Sequence, residues 1–137
     1  MSEINLDSNN CFVCGPNNDI GLKIEFIIGD DDICRAEFTP RKSHVGFQNT
    51  THGGIIFSLL DDVMANWLFL KGQPAQTAKC DLRYKNSLQT GETVLLEGHH
   101  LKTKSASTGD LIVDSQKCQR GDLNSRPQGY ESCALTS

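Results

Sequence analysis

The chain has 137 residues, enough for one domain that hides about two thirds of its unfolded surface, and nothing in it calls for a second. A formal net charge of -4 and a pI near 5.5 exclude the basic footprint that nucleic-acid phosphates attract. Residues 1–7 lack the positive and apolar regions of a secretion signal, and the one long apolar run is interrupted by Ser58, Asp61, Asp62 and Asn66. The expectation is a cytoplasmic protein with no nucleic-acid and no membrane partner.

The polar leader, residues 1–20, carries Cys11 and Cys14 as a C-x-x-C pair. Six cysteines without an export signal, at irregular spacings, are expected to be reduced thiols. The pair is half of a zinc site by spacing, but no second pair follows at short range; Cys34, Cys80, His44 or His52 would complete it only by folding together. The reading therefore favours two small buried thiols and no metal.

Residues 21–28 alternate, with Leu22, Ile24 and Phe26 on one face and Lys23 and Glu25 on the other, as a half-buried strand does. Gly29 and the three aspartates after it form a turn, without the later glycine and glutamate of a calcium loop. Residues 33–38 return as the second arm of an antiparallel hairpin, with Cys34, Ala36 and Phe38 inward. A polar loop, 40–51, delivers the chain to Gly53, where a helix is expected to run to about Leu70. Its apolar residues (Ile55, Ile56, Leu59, Leu60, Val63, Met64, Trp67, Leu68) cover too broad a surface for a simple stripe, so the helix is mostly buried. Gly72 and Pro74 end it.

Three further strands are expected, over residues 77–84, 93–101 and 110–117. One long apolar helix among antiparallel strands makes an α+β layer, the sheet wrapping the helix. The stretch 120–137 loses both periodicities and is expected to be an atypical, poorly ordered tail on a domain of residues 1–119.

Two adjacent acids on this helix raise a question. An ionised carboxylate in an apolar interior costs several kcal/mol, roughly, unless it is paired or hydrogen-bonded. Either Asp61 and Asp62 sit on a solvated side of the helix, or one of them has a use.

Three segments bear on this. Residues 11–22, CFVCGPNNDIGL, look like the leader of many bacterial hotdog-fold acyl-CoA thioesterases in the 4-hydroxybenzoyl-CoA and phenylacetyl-CoA thioesterase branch, with Asp19 where proline is common. His52-Gly53-Gly54 followed by Leu59-Leu60-Asp61 resembles that family's active-site segment, and residues 77–92 resemble its next strand and turn, with Ser87 at a usual proline position. The resemblance covers about residues 11–117; beyond it, the end of the chain resembles sequence translated through into a transfer-RNA gene.

The resemblance implies a hotdog fold, an antiparallel sheet around one long central helix, and hydrolysis of an acyl-CoA thioester. It implies that the Gly53 and Gly54 amides at the helix N-terminus hold the oxyanion, and that His52 orients the thioester. It selects Asp61 over Asp62, nine residues after His52, as general base or nucleophile, and implies that Thr77 places the attacking water. CoA is part of the substrate, so no separate cofactor is implied; Arg83, Lys85, Lys102 and Lys104 are candidate partners for its phosphates. The resemblance further implies a homodimer or a dimer of dimers, with the site between subunits. The alternative is a hotdog protein that binds acyl-CoA or an acyl ligand without turnover.

Overall fold

The computed structural model describes residues 7–73, 75–80, 82, 84, 86–105, 111–120 and 133–136, the backbone alone from residue 101 onward. A short strand β1 (Ile27–Ile28) turns into β2 (Cys34–Phe38), and Ile27 pairs with Arg35 and Ile28 with Cys34, the hairpin expected from the alternation. The first arm is shorter than the pattern over 21–28 because its backbone has another partner. Leu22 and Ile24 donate to the carbonyls of Phe12 and Val13 in the leader, both at 2.8 Å. Ile24 and Phe26 still face the core while Lys23 and Glu25 are exposed, so the side-chain pattern survives without the ladder.

The polar loop is more structured than its composition suggests. It holds a 3-10 turn (Lys42–His44), β3 (Val45–Phe47) and β4 (Thr50–Thr51), the two strands pairing with each other. The helix α1 (Gly53–Phe69) follows, close to its expected limits. It stops where Gly72, at φ 78, takes a conformation costly for any residue with a Cβ, and the Gly72 and Gln73 amides close on Phe69 and Leu68 carbonyls at 2.9 and 3.1 Å.

β5 (Gln76–Cys80), β6 (Val94–Ser105), β7 (Leu111–Arg120) and β8 (Cys133–Thr136) complete a six-stranded sheet in the order β1-β2-β6-β7-β8-β5, all pairs antiparallel. β8 comes from within the stretch 120–137 that the sequence marks as a tail, and it pairs with both β7 and β5. In that register Cys80 stands opposite Cys133. Cys80 is disulfide-bonded, a departure from the expectation of reduced thiols, whereas Cys11, Cys14 and Cys34 are free.

The core lies between α1 and the sheet. Leu59, Val63, Leu68 of the helix meet Cys34, Ala36 and Phe38 of β2 and Val94 and Leu96 of β6, all buried. Each fully buried aliphatic side chain contributes about 1.5–3 kcal/mol. The helix and β6 approach so closely at Gly98 that a Cβ there would lie 2.7 Å from the Val63 carbonyl oxygen. Beside this contact, Glu97 is buried and receives Arg35 Nε at 3.0 Å, with His99 Nε2 at 3.1 Å from its other oxygen. Among the described residues, no helix is long and apolar enough to cross a membrane.

Candidate functional site

The N-terminus of α1 is built from the loop that precedes it. The Thr51 amide donates to Leu88 O at 2.7 Å and the His52 amide to His44 O at 2.8 Å, which fixes the entry angle of the chain. His52 is the N-cap: its Nδ1 accepts from the Gly54 amide at 2.8 Å, which leaves Nε2 to carry the proton of the neutral ring. Glycine at 54 permits this arrangement, since a Cβ there would sit 3.0 Å from that Nδ1. Tyr84 closes over Gly53, donating its hydroxyl to the Gly53 carbonyl at 2.8 Å.

A cleft of about 340 Å³ opens here, lined by Thr51, Gly53, Ile56, Tyr84 and Leu88 among others. Thr51 is among the lining residues; its hydroxyl is buried and has no hydrogen-bond partner among the described residues. Phe47 of β3 and Phe57 of α1 are exposed.

Two turns further on, Asp61 is half-buried and accepts a hydrogen bond from Thr77 Oγ1, delivered by β5. The two polar residues singled out from the strand and the helix are therefore in contact. Gly54 and Asp61 share one helix seven residues apart, roughly 10 Å of rise, too far for both to touch one carbonyl group. His52, Gly53 and Gly54 form one cluster and Asp61 with Thr77 another.

Asp62 points elsewhere. Adjacent helical positions diverge by about 100°, and this one meets the leader. Its Oδ1 accepts from Cys11 Sγ at 3.8 Å, and its Oδ2 from Asn66 Nδ2 at 3.0 Å. Asn66 Nδ2 also reaches the Asp62 carbonyl at 2.9 Å and Cys14 Sγ at 3.9 Å. Burial pushes the Asp62 carboxyl above the usual range. Burial and the Asp62 charge together push Cys14 well up and Cys34 up to about 12.

This second cluster escaped the sequence reading, which sought the partners of Cys11 and Cys14 among cysteines and histidines. The adjacent pair of acids was the available signal. Trp67, one of the apolar residues of the helix, is fixed in the core: its Nε1 donates to Asp32 O at 2.8 Å and its ring stacks on His100 at 4.6 Å. Arg83 and Lys85 lie outside the described residues, as do the side chains of Lys102 and Lys104.

No model of a known protein family matches the sequence, and no curated protein does. Solved structures do match. One, a thioesterase superfamily protein, superposes with a TM-score of 0.68 at 22% identity, over 90% of this chain and 60% of that one. The chain has the hotdog fold. Other hotdog structures agree: a hypothetical thioesterase from Streptococcus pneumoniae, crystallised with coenzyme A, gives 0.66 at 13% identity over 82% of this chain and 84% of that one. The E. coli PaaI protein from the phenylacetic acid degradation operon gives 0.61 at 17% identity, over 84% and 81%. The streptococcal hotdog protein has also been crystallised with an aspartate, and separately a threonine, replaced by alanine.

Proposed function

We propose that this chain hydrolyses an acyl-CoA thioester, with Asp61 as general base or nucleophile, Thr77 positioning that carboxylate and the attacking water, and the Gly53-Gly54 helix N-terminus binding the oxyanion. The observation that carries the proposal is the Thr77 hydroxyl on Asp61: a half-buried carboxylate on an apolar helix, held in one orientation by a neighbouring strand. A shared fold with a protein crystallised with coenzyme A supports the substrate class.

In the reaction, water oxygen adds to the thioester carbonyl, the carbon–sulfur bond breaks, and the CoA thiolate takes up a proton. Asp61 either removes the water proton or attacks first and forms a mixed anhydride that water then opens. Backbone N–H groups and the helix dipole stabilise the charge that develops on oxygen. The roughly 10 Å between Gly54 and Asp61 supports a site shared by two copies, in which the amide end of one helix faces the carboxylate of the other. Phe47, 75% exposed, and the exposed Phe57 and Tyr84 are apolar surface that such a pairing would cover.

One observation favours a second reading, an acyl-CoA binder without turnover. The Gly54 amide, an expected oxyanion donor, is engaged by His52 Nδ1, so the imidazole must swing away before that amide can serve. A thiol-release assay over short-chain, long-chain and aryl acyl-CoAs separates the two. Hydrolysis of at least one class, lost in Asp61→Asn, is expected; no hydrolysis of any, or unchanged turnover in Asp61→Ala, refutes the catalytic reading, and saturable binding without turnover establishes the second.

A further inference from the structure

The cluster around Asp62 is not used in the proposed thioester chemistry, yet it gathers the donor atoms that a soft divalent metal prefers. One ligand atom each from Cys11, Cys14 and Asp62 lies within 4.8 Å of the other two. We propose that Cys11, Cys14 and Asp62 form a zinc site that pins the N-terminal leader to the central helix.

Zinc–sulfur bonds of about 2.3 Å and zinc–oxygen bonds near 2.0 Å, at tetrahedral angles, set donor atoms roughly 3.5–3.8 Å apart. Cys11 Sγ and Asp62 Oδ1 stand at 3.8 Å, and closing the remaining separations takes movements of about 1 Å or less. Two thiolates and one carboxylate select zinc over magnesium or calcium, which require oxygen ligands. Water supplies the fourth position.

The surroundings are those of a held site. The cysteine turn is closed by the Gly15 amide on Cys11 O at 2.8 Å, and glycine is required there because a Cβ at 15 would fall 2.4 Å from the Cys11 nitrogen. Buried Val13, between the cysteines, anchors the turn in the core, and the Leu22 and Ile24 amides tie it to the segment before β1. Asn66, buried one turn after Asp62, sends its amide to the second Asp62 oxygen at 3.0 Å and to Cys14 Sγ at 3.9 Å. That is the role of an outer-shell donor, orienting a carboxylate and hydrogen-bonding a thiolate.

Binding converts two thiols to thiolates: Zn²⁺ displaces one proton from each cysteine, and the complex carries one net negative charge with the Asp62 carboxylate.

The test begins with protein purified under reducing conditions from zinc-supplemented cells without chelators, its metal content measured by elemental mass spectrometry. About one zinc per chain is expected, with a content below a tenth of that in Cys11→Ser/Cys14→Ser. Metal-free protein titrated with zinc should release two protons per ion and unfold at a higher temperature. Asp62→Asn, nearly the same shape and expected to fold, should bind at least tenfold more weakly. Wild-type protein that takes no zinc at micromolar free metal overturns the proposal. So does a double cysteine variant that binds as well as wild type, or undiminished affinity in Asp62→Asn. None of these readouts depends on thioester hydrolysis.

Discussion

Thr77→Val tests how the candidate site is held together. Valine keeps the β-branched shape that suits β5 and removes only the hydroxyl that donates to Asp61. A hydrogen bond to a charged group contributes about 1.5–3 kcal/mol, which corresponds to roughly 10- to 150-fold in rate at about 1.4 kcal/mol per factor of ten. Both side chains are half-buried, so solvent replaces part of the lost bond and the lower end applies, about 10- to 30-fold in kcat. KM should change less than threefold, because the hydroxyl orients a carboxylate rather than gripping substrate. Thr77→Ser should recover most of the loss. The assay is steady-state thiol release with the best acyl-CoA, alongside thermal unfolding to show that stability moves by less than about 1 kcal/mol. Unchanged kcat in Thr77→Val, or a loss confined to KM, would refute the positioning argument.

Gly98→Ala should destabilise the fold by about 1–3 kcal/mol, because the new methyl meets the Val63 carbonyl oxygen of the helix at 2.7 Å; urea denaturation measures it. Leu59→Ala removes a side chain that is only 1% exposed and should cost about 2–5 kcal/mol in the same experiment. Stability should also fall with acid in two stages. Burial, and then the nearby Arg41 charge, hold His44 below its usual 6.5, so the unfolded state binds the proton more readily; the contribution is full above pH 6.5 and is lost as pH falls through the folded value. Burial pushes Glu97 up, but hydrogen bonds from His99 and Arg35 outweigh it and hold the carboxyl below 4.5; its contribution is full above that pH and is lost on further acidification. Unfolding temperatures from pH 8 to 3 should show both stages, and His44→Asn should remove only the first.

The parts of this molecule legible in the sequence are those where one physical signal dominates over many residues. Seventeen helical residues with a broad apolar surface identify α1 and its ends, and alternation identifies β2. The strands in the loop before the helix are two and three residues long and rest on backbone bonds, such as Thr51 N to Leu88 O, that leave no side-chain period to read. The strand expected over 21–28 shows the limit of alternation: it reports which side chains are buried, not what the backbone pairs with. At the site, the resemblance brought Asp61 and Thr77 into one account, and the fold places them in contact. Asp62 with Cys11 was illegible because the partners are 51 positions apart and neither has a pattern that names the other.

The pairing of β2 with β6 has a kinetic consequence. Cys34 to Phe38 hydrogen-bond across to Val94 to Gly98, so the whole of α1 lies in the covalent loop that this ladder closes. The helix cannot leave the sheet face by fraying from a chain end, as a terminal helix would. Its inner amides are exposed to solvent only when the ladder opens as well. Amide hydrogens of Leu59, Val63, Ala36 and Leu96 should accordingly exchange as one cooperative unit, at the rate of global opening. Because closing that loop comes before most of the apolar contact it brings, refolding should be slow for a chain of this size, and set by the ladder rather than by the helix.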